Sequence, residues 1–118
     1  MIAYQDGVVQ KRGFPMIITQ VQYTVQAGYA AQNQECIRRV MDELRTLGRT
    51  DIRYSVFLQE DGKTFIHWNI CANEEAHQVF TSLESFRAFQ RALAESQPEV
   101  PPVSATNLTV VDSTTALL

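Results

Sequence analysis

Tyr54, His67 and Asn69 are the residues of this chain best suited to chemistry, and a turn signal brings them together. They lie in two runs rich in β-branched and aromatic residues, Asp51–Glu60 and Lys63–Ala72, on either side of Asp61-Gly62. Asp-Gly supplies the positive φ angles of a two-residue type I′ turn, so the stretch predicts a β-hairpin. With that pair as the turn, Leu58 faces Phe65, Val56 faces His67, Tyr54 faces Asn69 and Ile52 faces Cys71. Side chains alternate along a strand, so these residues share one face. A neutral imidazole in that mostly apolar setting can orient a polar group of a ligand or take a proton from it. Tyr54 and Asn69 can donate hydrogen bonds to a developing oxyanion. His67 is therefore the candidate catalytic residue, and Tyr54, His67 and Asn69 are the candidate ligand-binding set. The same three groups can instead satisfy one another inside a core, since buried polar groups are normally paired.

No other chemistry is encoded as clearly. His67 and His77 lack the third ligand that a zinc site needs, so no metal is expected. Cys36 and Cys71 have no adjacent Lys or Arg to activate them and read as small buried hydrophobes that can meet between sheet and helix. His77 is expected to be solvated on a polar helix side, and Glu74-Glu75 to serve the positive end of a helix. Gly-rich phosphate loops and nucleophile elbows are missing, and no cofactor is expected.

The elements that position the hairpin follow from periodicity. Met1–Pro15 reads as an extended arm with room for a short strand at Ala3–Val9. Met16–Gln26 alternates, with Ile17, Thr19, Val21, Tyr23 and Val25 on one face, as in a half-buried strand. Ala30–Leu47 switches to helical spacing, with Ile37, Val40, Met41, Leu44 and Leu47 inward, Glu43 among the polar residues opposite, and Gly48 as the left-handed stop. After the hairpin, Asn73 caps a short helix near Glu74–Phe80. Thr81-Ser-Leu-Glu84 reads as a capping box for a second helix near Leu83–Ser96, which Pro98, Pro101 and Pro102 end. Val103–Ser113 is the expected last strand, with Leu108, Val110 and Val111 as its apolar core, and Thr114–Leu118 a tail.

The order β-α-β-β-α-β with right-handed crossovers predicts an α+β, ferredoxin-like sandwich spanning 16–113: a four-stranded antiparallel sheet with both helices on one face. The other hairpin face carries Phe57, Ile66, Trp68 and Ile70 with no cover in the monomer. Leaving those four wet would forgo about 6–12 kcal/mol of burial. They are the expected interface of a twofold homodimer. The 118 residues suit one domain. A net charge of −3 without Lys/Arg clusters excludes a nucleic-acid footprint. No apolar run approaches membrane-spanning length, and two distant cysteines with no secretory signal point to a reducing, cytoplasmic location.

The runs Ile17-Ile-Thr-Gln-Val-Gln-Tyr-Thr-Val, Asp51-Ile-Arg-Tyr-Ser-Val-Phe, Asp61-Gly-Lys-Thr-Phe-Ile-His and Ser85-Phe-Arg-Ala-Phe-Gln together resemble the dimeric α+β barrel superfamily. The closest branch is that of the antibiotic biosynthesis monooxygenases. The resemblance implies a homodimer whose sheets face each other, with ligand pockets between each sheet and its own helices. It admits two functions: a module binding a small apolar or aromatic molecule, or a cofactor-independent monooxygenase acting on a phenolic or quinone-type substrate. Haem degraders of the superfamily use an Asn, a Trp and a His. Here the corresponding His position holds Gln90, the Trp position Cys71, and the first strand has no Asn. Trp68 lies on the wrong face for that role.

Overall fold

The computed structural model describes residues 16–103 and 105–118. The expected arm, Met1–Pro15, lies outside them. The elements run β1 (Ile17–Thr24), a 3-10 turn (Ala27–Tyr29), α1 (Ala30–Leu47), β2 (Ile52–Leu58), β3 (Thr64–Cys71), α2 (Glu74–Thr81), α3 (Glu84–Glu95) and β4 (Thr106–Leu108). The strands form one antiparallel sheet in the order β2-β3-β1-β4. This is the ferredoxin-like arrangement, with the second helical segment broken in two. No helix among the described residues is long and apolar enough to cross a membrane.

The hairpin keeps the expected register: Leu58 pairs with Phe65, Val56 with His67, Tyr54 with Asn69 and Ile52 with Cys71. Its turn, however, is longer than two residues. Gln59 N donates to Thr64 O at 2.9 Å, and Gly62 N to Gln59 O at 3.0 Å. Only Gly62 takes a left-handed φ, +76°, whereas a type I′ turn needs two such residues. Asp61 contributes its carboxylate instead, accepting from Lys63 N at 3.0 Å, Thr64 N at 2.9 Å and Thr64 Oγ1 at 2.5 Å. Lengthening the loop symmetrically, by one residue on each side, leaves the pairing unchanged.

Tyr23, Val25, Phe65 and Cys71 on the sheet pack with Cys36, Ile37 and Val40 of α1, and with Ala76, Phe80, Phe89 and Leu93 of α2 and α3. Gly48 ends α1 with φ +64°. Asn73 caps α2 by accepting from Ala76 N at 2.9 Å.

Other expectations fail as well. Leu47 is exposed, because it lies past the last turn that the sheet covers. The capping box at Thr81 does not form. The Thr81 hydroxyl donates back to His77 O, and Leu83 is the residue preceding α3. Glu43 of α1, expected on the polar side, reaches across to accept from Ser85 N at 3.0 Å and Ser85 Oγ at 2.5 Å, satisfying the start of α3 from outside. Finally, β4 has three residues rather than eleven. Leu108, Val110 and Val111 are all exposed, because β4 is an edge strand paired with β1 only over Ile18–Gln20.

Candidate functional site

The inner sheet face meets the helices at His67, which is 6% exposed. Its position on β3 places it between β1 and β2, opposite Val21 and Val56. Both ring nitrogens are engaged. Tyr54 Oη lies 2.6 Å from Nδ1, and Tyr23 Oη lies 2.8 Å from Nε2. Tyr23 Oη also accepts from Asn33 Nδ2 of α1 at 2.7 Å. Four side chains from four elements thus form one buried polar chain, Asn33–Tyr23–His67–Tyr54, inside an aromatic shell. Phe89 packs on His67 at 5.3 Å between centroids, and Phe80 meets Tyr54 edge-on at 4.9 Å.

Burial sets the protonation of the chain. It holds the His67 imidazole down at about 4, so the ring is neutral at physiological pH. It pushes the Tyr54 and Tyr23 phenols well above their ordinary range, so both keep their protons; the Asn33 hydrogen bond only partly opposes this at Tyr23. The Cys71 thiol is raised to about 11, chiefly by burial.

The sequence placed Asn69 beside Tyr54 and His67. It does line the same space, but its amide is turned to other partners. Asn69 Oδ1 accepts from Cys71 Sγ at 3.3 Å, and Nδ2 donates to Arg53 O at 3.5 Å. Cys36 and Cys71 are free thiols with separate partners, Cys36 Sγ accepting from Gln32 Nε2 at 3.7 Å. His77, expected in solvent, is half-buried and lines the cavity. Among the described residues, no group of three or more His, Cys, Asp or Glu side chains is arranged to hold a metal.

Beside Tyr54 and His67 opens a cavity of about 660 Å³. The sheet forms its floor with Val21, Tyr23 and Tyr54, α2 and α3 form a wall with Phe80, Phe86 and Phe89, and Pro98, Pro101, Pro102 and Val103 line the far side. The break between α2 and α3 and the proline-rich return of the chain keep this end of the sandwich from closing.

Sequence reasoning missed Asn33 and Tyr23 as site residues. Both carried a signal. Asn33 falls four residues before Ile37 on the apolar stripe of α1, where a polar side chain must find a buried partner. Tyr23 falls on the inward face of β1, where its hydroxyl needs one too.

No family model matches the chain, and no curated protein matches it by sequence. Solved structures do match in shape. One is an antibiotic biosynthesis monooxygenase, at TM-score 0.68 and 10% identity, over 81% of this chain and 99% of that one. Another is a candidate antibiotic biosynthesis monooxygenase from Caulobacter crescentus, at TM-score 0.70 and 16% identity, over 84% and 92%. A third is a variant of SnoaB, a cofactor-independent oxygenase from Streptomyces nogalater, at TM-score 0.64 and 12% identity, over 84% and 96%. At these identities the likeness establishes the fold: this chain shares the α+β sandwich of those proteins.

Proposed function

We propose that the protein binds a small, mostly apolar or aromatic molecule in the cavity between the sheet and α2–α3. The observation that carries this reading is the cavity itself: about 660 Å³, walled by aromatic side chains, with the Tyr54–His67 pair at its floor. Ligand sites are concave and largely apolar, with a few convergent polar groups that fix orientation. Tyr54, His67 and Asn69 are the proposed binding residues. A panel of two- and three-ring aromatics, read by thermal shift, tests the proposal. Binding is expected in the wild type and is expected to vanish in Ala94→Trp, which fills the mouth from an exposed helix position. If no member of the panel shifts the melting temperature, the reading fails.

A second reading is a cofactor-independent monooxygenase acting on a phenolic or quinone-type substrate. It is supported by the fold shared with SnoaB, an oxygenase of that kind, and by a polar chain ending in the cavity. In such a reaction a substrate methylene becomes a carbonyl: one oxygen atom of O₂ replaces its two hydrogens, and the other leaves with them as water. His67 is the proposed catalytic residue. Its low basicity ranks this reading second. Burial holds His67 well below its ordinary basicity, which makes it a weak acceptor for a phenol's proton. Oxygen uptake with a hydroxylated aromatic and no added cofactor, lost in His67→Ala, would promote it to first.

The assembly proposed is a homodimer formed through Phe57, Ile66, Trp68 and Ile70, acting in a reducing, cytoplasmic compartment, with 16–113 as the domain. Cross-strand pairing extends the apolar surface, since Ile18 sits opposite both Ile70 and Leu108.

A further inference from the structure

The buried chain beneath the cavity has a direction, and that direction says what kind of polar group a ligand must bring. Asn33 Nδ2 donates to Tyr23 Oη. Tyr23 is 1% exposed, and with Asn33 donating to it, its own hydrogen has His67 Nε2 as acceptor at 2.8 Å. A neutral imidazole has one N–H and one bare nitrogen. With Nε2 accepting, Nδ1 carries the proton and donates to Tyr54 Oη at 2.6 Å. The Tyr54 hydrogen then has no acceptor among the described residues, and Tyr54 borders the cavity.

The opposite direction is costlier. With the Asn33 amide as it stands, it would leave the hydrogen of the 1% exposed Tyr23 without an acceptor; with the amide turned so that Oδ1 accepts from Tyr23, it would leave both Nδ2 hydrogens buried without acceptors. As built, Nδ2 gives one of its hydrogens to Tyr23 Oη, and Oδ1 is the unpaired oxygen. Buried N–H groups without a partner are rarer than under-satisfied carbonyl oxygens, and each orphan carries a desolvation cost.

We infer that Asn33, Tyr23 and His67 are positioning residues that fix Tyr54 as a hydrogen-bond donor, so the cavity selects an aromatic ligand whose polar group is an acceptor, such as an aryl ketone. The inference rests on the binding reading and narrows it. Asn69 is turned to other partners, with Nδ2 donating to Arg53 O and Oδ1 accepting from Cys71 Sγ. Thr81 likewise directs its hydroxyl to His77 O.

Two measurements test it. The first needs no ligand and no variant: ¹⁵N NMR of the histidine rings in the wild-type protein at neutral pH. The expected result is the Nδ1–H tautomer at His67, and a proton on Nε2 overturns the inference. The second compares 1-tetralone with tetralin, which share a ring frame and differ by the carbonyl. The ratio of their affinities in the wild type is expected to exceed that in Tyr54→Phe by about threefold to tenfold, the worth of one neutral hydrogen bond. An equal ratio in both proteins overturns this inference while leaving the cavity reading intact. If neither compound nor any member of the aromatic panel binds, the cavity reading falls and takes the ligand class with it, whatever the tautomer.

Discussion

His67 and Trp68 are neighbours in sequence and opposites in fate. The first is 6% exposed, wired at both nitrogens and roofed by helices. The second is 46% exposed, meets Phe57 edge-on at 4.9 Å, and donates from Nε1 to Gln20 Oε1 at 2.9 Å. Both faces of the hairpin carry large aromatic and aliphatic groups. What separates them is the treatment of polar atoms. On the inner face, polar groups are kept only where a partner from another element meets them. On the outer face, the polar partner is a cross-strand neighbour in solvent, and the apolar groups are left for something outside the monomer. On the reading proposed above, the inner face is the site and the outer face the docking surface.

Substitutions should separate the two faces. The largest effect is expected for His67→Ala, which opens a void and strips two buried phenols of their partner. A loss of about 3–5 kcal/mol in denaturant unfolding is expected, and a loss under 1 kcal/mol would mean that the polar chain contributes little to the fold.

Next comes pH. His67 is held at about 4 in the folded state, against an ordinary 6.5. The unfolded chain therefore binds more protons between those values, and stability rises with pH across that window. The contribution is complete above pH 6.5 and is lost progressively as pH falls toward 4, by up to about 3 kcal/mol. The lowered carboxylates of Asp51 and Asp61 act only further down, near and below their ordinary range. Urea midpoints from pH 7 to 4 should show the slope in the wild type and in Trp68→Ala alike.

Trp68→Ala addresses the outer face. Self-association is expected to weaken about tenfold or more in sedimentation, as for an interface hot spot. Monomer stability should change by about 1 kcal/mol or less, since the side chain is not part of the core. An unaltered sedimentation profile would sever the comparison.

The smallest effect is expected for Gly62→Ala. Its left-handed backbone makes the change cost about 1 kcal/mol. Amide spectra of both faces should stay in place, because the Asp61 carboxylate still holds the loop.

The division of the hairpin into two faces was present in the sequence. Alternation is a property of the extended backbone, so once the bend lay at Asp61-Gly62, His67 and Trp68 had to point apart. The register survived an error about the turn because an even number of loop residues preserves it. The extent of α1 was likewise local, carried by helical spacing and a glycine stop. Local patterns failed where a distant partner intervened: Glu43 displaced the capping box, and an edge position cut the last strand to three residues.

The site itself was only half legible. Strand periodicity alone put Tyr54 and His67 on the helix side, but Tyr23 reaches the same imidazole from 44 residues away in the chain, and Asn33 reaches Tyr23 from a different element. The spacing within one element fixes which way a side chain points. Whether it lies 2.8 Å or 5 Å from a group on another element depends on how sheet and helices pack, to within tenths of an ångström. Sequence thus determined which side of the sheet carries Tyr54 and His67. Tertiary packing decided which donors and acceptors meet there, and left the empty volume beside them.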